Sequence, residues 1–180
     1  LAGLAWRIEA AEDQGHLVVT CAEGEWHSLP ARMVAEVLRV HGWLVTFLGA
    51  STPADHLRRF VDEVGAVGVV VSCSVPIFLS GALRSVQAAQ AEGVPVLVGG
   101  RAFGPDDLRA RRLGADGWAP DADAAGRLLD EWRRQPPSVG ARPAGMRDAE
   151  PLELEAAQPE LVEAAMSELF LRFPPLAGYS

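Results

Sequence analysis

A doubly wound α/β fold around a parallel sheet is what this sequence predicts, and three observations carry the prediction. Short Val-rich apolar runs recur without polar alternation, as in strands buried on both faces. Segments with helical spacing separate them. Each of those segments places Pro or an acid in its first turn, and four of them close on Gly.

The first strand is read over His16–Glu23 (HLVVTCAE). Ser28 and Pro30 open the first helix, which puts Met33, Val34, Val37 and Leu38 on one face and stops at Gly42. Trp43–Gly49 (WLVTFLG) is the second strand. Thr52-Pro53 caps and opens the second helix, which buries Leu57, Phe60, Val61 and Val64 and stops at Gly65. Ala66–Val75 (AVGVVVSCSV) is the third strand, followed by a helix from about Leu79 to Glu92 and a stop at Gly93. Val94–Gly100 (VPVLVGG) is the fourth strand; its helix starts at Pro105-Asp106-Asp107 and ends at Gly114. Gly117–Pro120 (GWAP) is a short fifth strand, and a fifth helix covers about Asp123–Trp132. Five such βα units adopt the flavodoxin-like strand order 2-1-3-4-5.

This unit occupies residues 16–134. Residues 1–15, with Leu4, Trp6 and Ile8, read as the end of an upstream helix. Residues 135–158 read as a linker, because Gln135–Arg147 alone holds three prolines and two glycines. Residues 159–173 read as an amphipathic helix, with Leu161, Val162, Ala165, Leu169 and Phe173 on its apolar stripe, that could begin a helical output domain. The chain starts at Leu1 without an initiator Met, as a piece of a longer protein does.

Bulk properties narrow the function classes. At 49% hydrophobic and 22% charged residues, the 180-residue chain reads as a soluble globular domain. No apolar run approaches the roughly 18–20 residues of a membrane span, and no basic leader precedes the first strand. The net charge is −8; seven acids and two arginines in 146–180 contribute −5 of it, leaving −3 for residues 1–145. With no basic stripe, direct nucleic-acid contact by this segment is not expected. Cys21 and Cys73 lie inside apolar runs as free thiols, which fits a cytoplasmic protein. The pair is expected to sit close together on adjacent strands.

In a doubly wound sheet the ligand crevice opens where the winding reverses, here between strands 1 and 3 at their carboxyl ends. The loop there after strand 1 is Gly24-Glu25-Trp26-His27-Ser28-Leu29. Ser72-Cys73-Ser74-Val75-Pro76 follows strand 3, and Gly99-Gly100-Arg101-Ala102-Phe103-Gly104 follows strand 4. Topology thus collects a histidine, two serines and a Gly-Gly pair on one rim. Adjacent glycines admit a bulky ring close to the backbone. A projecting histidine can bind a metal through one ring nitrogen while a carboxylate two residues earlier fixes the other. Other uses of the fold lack their residues. No Asp pair follows strand 1 and no Lys occurs, against a receiver domain; G-x-G-x-x-G is missing, against a dinucleotide site. Glu-Trp-His after strand 1 is hostile to the phosphate of a flavin.

These motifs, in this order, resemble the cobalamin-binding domain of mutases, corrinoid methyltransferases and cobalamin photoreceptors. That family carries D-x-H-x-x-G, S-x-L and G-G after strands 1, 3 and 4. Here the counterparts are Glu25-Trp26-His27-Ser28-Leu29-Pro30, Ser72-Cys73-Ser74 and Gly99-Gly100, and Leu48–Pro53 resembles the stretch usual after strand 2. The likeness covers about residues 16–132. It implies a cobalamin, in its adenosyl or methyl form, with His27 as the lower axial ligand of cobalt in place of the dimethylbenzimidazole base. It also implies that Glu25 orients His27, that Ser72 bonds the nucleotide tail, and that Gly99-Gly100 lines the tail's slot. Trp26, Ser28, Leu29, Ser74, Val75, Arg101 and Phe103 would complete the ligand's surroundings. The departures, Glu25 for Asp, Pro30 for Gly and Ser74 for Leu, bear on the tail's position more than on the axial ligand.

Plainer readings stand beside these. Ser72 and Ser74 also suit strand-end turns, Gly99-Gly100 suits a tight βα turn, and Trp26 suits a core or interface. His16, His41 and His56 fall at positions typical of structural or solvated histidines. The leading function is a sensory or regulatory, light-responsive cobalamin module, not an enzyme on its own. Two features favour it: the linker into an apolar-faced helix, and Gly99–Phe103, which looks closer to cobalamin photosensors than to mutases. It would couple to a helical cap or output domain in cis or in trans, or to a second copy in a homo-oligomer. The alternatives are a corrinoid carrier or cofactor-binding module of a methyltransferase or mutase, and a flavodoxin-like interaction domain without a cofactor.

Overall fold

A computed structural model describes residues 15–140. The predicted strand–helix alternation forms there as β1 (His16–Cys21), α1 (Ser28–Val40), β2 (Leu44–Gly49), α2 (Ala54–Glu63), β3 (Gly68–Ser72) and α3 (Leu79–Ala91), then β4 (Val96–Gly99), α4 (Leu108–Arg112), β5 (Gly117–Ala119) and α5 (Ala122–Arg134). The five strands make one parallel sheet in the order β2-β1-β3-β4-β5. The expectations for residues 1–14 and for the helix at 159–173 lie outside the described residues, as does most of the linker.

Alternation along the strands divides the core into two layers. Val18, Val69, Val71, Val96 and Val98 pack on one face with Leu57 and Val61 of α2 and Ala82, Val86 and Ala89 of α3. Leu17, Val19, Val70 and Leu97 pack on the other with Ala31, Ala35 and Leu38 of α1 and Ala125 and Leu129 of α5. Both faces of every central strand are covered, which explains why the strands read as unbroken apolar runs.

Several local expectations change. In α1 the buried stripe is Ala31, Ala35 and Leu38, while Met33 is 59% exposed. Small alanines let this helix lie close on β1 and β3, and that turns Met33 outward. Thr52 does not cap α2; its Oγ1 accepts the hydroxyl of Thr20 at 2.6 Å, and Pro53 stands at the cap position without a side-chain bond. Helix α4 shrinks to Leu108–Arg112, because Asp106 accepts the amide of Leu108 within the preceding turn. Cys21 and Cys73 are free and buried, but they belong to opposite faces of the sheet. Among the described residues no helix is long and apolar enough to cross a membrane.

Gly81 sets how closely α3 approaches the loop after β1. A Cβ there would fall 1.9 Å from the carbonyl oxygen of Glu23, a backbone atom that cannot swing aside. Gly81→Ala is therefore expected to destabilise the domain by about 1–3 kcal/mol. An exposed helical glycine would instead gain roughly 1 kcal/mol from the same change. Urea denaturation measures the sign.

Candidate functional site

The site is built around a carboxylate with no solvent exposure. Beyond β1, the amide of Ala22 still pairs with the carbonyl of Ser72, and a turn closes where the amide of Glu25 donates to Ala22 (2.9 Å). This turn drops the Glu25 side chain between the loops after β1 and β3, where it is 0% exposed. Its Oε2 accepts the amides of Ser74 (2.8 Å) and Val75 (3.1 Å). Its Oε1 accepts the amide of His27 (2.9 Å) and the His27 ring nitrogen Nδ1 (2.6 Å). Burial raises the pKa of this carboxyl. The amides of His27 and Ser74, the imidazole of His27 and the amide of Val75 outweigh that and hold it below its ordinary value.

Those bonds orient His27. Glu25 is an anion and only accepts, so Nδ1 is the donor, and in the neutral imidazole the lone pair then sits on Nε2. The imidazole stands at the start of α1 and is 62% exposed, and Nε2 has no partner among the described residues. An outward imidazole held by a carboxylate at its inner nitrogen is the arrangement metal-binding histidines use.

Neighbouring loops brace the turn. Gly24, at φ +88°, lies against the ring of Phe78 and donates its amide to the Ser51 hydroxyl (3.1 Å). The amide of Ser51 donates to the carbonyl of Glu25 (2.8 Å). Ser51 holds φ +46°, the only non-glycine described residue with a positive φ. Side chains other than glycine visit that region at a cost, and they do so most often at functional sites.

Beside His27 a cleft of about 430 Å³ runs between α1 and α5, over the carboxyl ends of the strands. Val34 of α1, Ala122 and Ala125 of α5, and Val19, Val70, Leu97 and Ala119 of the sheet make apolar walls. Ser72, Ser74, Gly99, Gly100 and Arg101 edge it on one side, and Gly104, Pro105, Trp118 and Asp121 on the other. Its lining takes in β1 and β3 (Val19, Val70, Val71 and Ser72) and extends along β4 and β5, where Gly99, Gly100 and Ala119 leave room.

The expected site residues divide accordingly. Glu25, His27, Ser74 and Val75 meet in one hydrogen-bonded cluster, Val75 through its backbone amide. Ser72, Ser74, Gly99, Gly100 and Arg101 line the cleft. Gly99 and Gly100 also tighten the turn: at Gly100 (φ +106°) a Cβ would come within 2.3 Å of the Cys73 carbonyl. Ser28 begins α1, while Trp26 (73% exposed) and Leu29 stand outside the cleft on the rim. Phe103 does not face a ligand. It is fully buried in the α2/α3 core, beneath the one-turn 3-10 segment Arg101–Phe103. The cysteines add no chemistry. Burial and then the Glu25 carboxylate push the Cys21 thiol up to about 11 and the Cys73 thiol up to about 12, so both stay protonated near neutral pH.

Nothing in the sequence marks Ser51 as a brace, although it lies in the Leu48–Pro53 stretch after β2. Nor does the sequence mark Val34, Leu97, Ala119, Ala122 and Ala125 as cleft walls, since an alanine facing a cleft reads like one facing a core.

Comparisons with known proteins identify the fold and the family. Residues 15–126 match the model of the B12 binding domain. The "Corrinoid protein DSY3155" of Desulfitobacterium hafniense (strain Y51) is 26% identical over 129 residues, covering 69% of this chain and 58% of that protein. Among solved structures, a cobalamin-binding protein from Desulfitobacterium hafniense DCB-2 superposes with a TM-score of 0.61 at 23% identity, over 67% of this chain and 60% of that one. The methanol:cobalamin methyltransferase complex MtaBC from Methanosarcina barkeri gives 0.62 at 22% identity, over 70% and 49%. The Methanosarcina barkeri monomethylamine corrinoid protein gives 0.59 at 20%, over 68% and 60%. At these identities the structures share the fold. The chain spans about three fifths of the length of the first two relatives.

Replacing Glu25 tests the cluster without any ligand. In Glu25→Gln an amide NH2 faces donors that had an acceptor, so a loss of about 2–3 kcal/mol in unfolding free energy is expected. A carboxyl whose folded pKa is depressed stabilises the fold above its ordinary value of 4.5. That contribution disappears as pH falls through the lower folded value. Wild-type stability should therefore drop across that acid window, and the Gln variant should lose this part of the slope in denaturant titrations at stepped pH.

Proposed function

This chain belongs to the B12-binding domain family, and we propose that it holds a corrinoid with Nε2 of His27 as the lower axial ligand of cobalt. The observation that carries the reading is the Glu25–His27 pair, which leaves an exposed imidazole with its inner nitrogen protonated and its outer one free. The residues present fit such a group. A hydrogen bond to a carboxylate makes the outer nitrogen a better donor to a metal. The cleft beside it is walled by aliphatic side chains, as a displaced aromatic base requires, and edged by Ser72, Ser74 and Arg101, as the polar tail requires.

When bound, the corrinoid supplies a cobalt centre that can hold and release a methyl or other alkyl group. The chain's own residues bind and orient. Glu25 keeps the Nδ1 proton in place, so His27 cannot turn its lone pair inward. The cleft takes the tail's base away from water. Trp26, Leu29 and Met33, all exposed, give the surface near His27 an apolar character that suits the ring's edge and a partner protein covering it.

Of the functions the sequence raises, a corrinoid carrier of a methyl-transfer system is the one the relatives support. The curated relative is named a corrinoid protein, one similar structure is a methanol:cobalamin methyltransferase complex and another is a monomethylamine corrinoid protein.

The test is the absorption spectrum of the purified protein mixed in the dark with hydroxo-, methyl- and adenosylcobalamin, then repeated after green light. Wild type should co-elute with a pink species of base-off, histidine-bound spectrum, and His27→Ala should lose that signature. An unchanged spectrum in His27→Ala would refute the axial assignment. Methyl transfer in the dark with a partner methyltransferase supports the carrier. A light response confined to alkyl forms supports the sensory module that Gly99–Phe103 resembles.

A further inference from the structure

We infer that Arg101 is the residue by which this chain recognises the phosphodiester of a corrinoid's nucleotide loop, so that it selects complete corrinoids over those lacking the loop. The inference rests on the corrinoid reading above and deepens it.

Arg101 is the only cation among the residues lining the cleft. The other charged residue there, Asp121, has its Oδ1 engaged as the cap of α5, accepting the amide of Ala124 at 2.8 Å. Arg101 makes no hydrogen bond or ion pair among the described residues, so its guanidinium has all its donors available. By contrast, Arg109 a few residues on is committed, donating to the Ala102 carbonyl at 2.7 Å.

The backbone that presents Arg101 is rigid. Gly100 is pressed against the Cys73 carbonyl, the amide of Ala102 donates to that same carbonyl (3.1 Å), and the amide of Gly104 donates to the carbonyl of Arg101 (3.2 Å). Ala102 and Phe103 anchor the turn by full burial in the core. An exposed cation on a braced turn thus stands at the edge of an apolar slot.

The electrostatics of the chain sharpen the point. The protein carries a net charge of −8 and repels anions at long range. A corrinoid tail entering the cleft brings one formal negative charge, on its phosphodiester, between the ring and the base. Its base suits the aliphatic walls; its phosphate needs donors at the entrance. A guanidinium matches two phosphate oxygens at once.

The experiment compares cobalamin with cobinamide, which keeps the corrin ring and cobalt but lacks the phosphate, ribose and base. Dissociation constants are measured by equilibrium dialysis for the full chain and for Arg101→Gln and Arg101→Lys, with spectra recorded in parallel. Arg101 is exposed, so screening limits the effect, and Arg101→Gln should weaken cobalamin by roughly three- to tenfold. Cobinamide affinity should be unchanged, Arg101→Lys should recover part of the loss, and added salt should weaken wild type more than Arg101→Gln. Equal cobalamin affinity in wild type and Arg101→Gln, with the histidine-bound spectrum intact, overturns the role of Arg101 alone. So does an equal loss for cobinamide, which would place the arginine's effect on the ring. Failure of wild type to bind either corrinoid overturns the corrinoid reading itself.

Discussion

Everything at the carboxyl edge of the sheet depends on one buried carboxylate. Burying a lone carboxylate costs several kcal/mol, and a protein tolerates it only where charge-assisted hydrogen bonds replace the lost water. Glu25 has four such bonds, contributed by two loops that are adjacent in space and about fifty residues apart in sequence. The amides of Ser74 and Val75 tie down the loop after β3, and the amide and ring of His27 tie down the start of α1. Removing the carboxylate would therefore free both loops together, along with the orientation of the imidazole.

The same bonds shape the space next to them. A doubly wound sheet splits its crossovers at the β1/β3 seam, and a cleft is expected there. Here Glu25 sits between the loops after β1 and β3, and the cleft beside it extends from those strands to β4 and β5. Three small features keep the space open. Gly99 and Gly100 have no side chains, Ala119 is a small strand residue, and Ala122 and Ala125 keep the near end of α5 slim. The Glu25–His27 cluster and the cleft are thus neighbours that share Ser74, whose amide serves the carboxylate while the residue also lines the cleft.

Most of the fold was legible because its signals are redundant. β1, β3 and β4 are buried on both faces and could be nothing but apolar, and Gly42, Gly65, Gly93 and Gly114 all adopt the positive φ that ends a helix. Errors arose where two apolar residues competed for one position. Met33 loses the core to Ala31 and Ala35, because a close helix–sheet approach favours the smaller side chain. Phe103 was placed on the rim by its loop, yet a one-turn 3-10 segment reverses the chain and sends the ring inward. Cys21 and Cys73 lie on adjacent strands, but the ladder that puts Cys21 opposite Ser72 turns Cys73 to the other face of the sheet. The Glu25–His27 pair was legible from spacing, but its amide donors were not, since backbone groups leave no mark in a sequence.

The division between anchor and cleft has a consequence for recognition. On the proposed reading, the His27 nitrogen would bind cobalt whatever hangs from the corrin, so the anchor would supply affinity with little discrimination. The cleft would touch only the parts that differ among corrinoids, the base and its linkage. Aliphatic walls cannot satisfy the hydrogen-bonding edges of a polar base, and burying such an edge unpaired is penalised by about 1–3 kcal/mol. Selection would then come from what the walls refuse as much as from what the rim holds. Such a site tolerates change in Val34 or Leu97 so long as both remain apolar, because volume-conserving apolar swaps cost little. It does not tolerate loss of the small residues, since a longer side chain at Ala119 or Ala125 would fill the cleft and leave the His27 anchor intact but unselective.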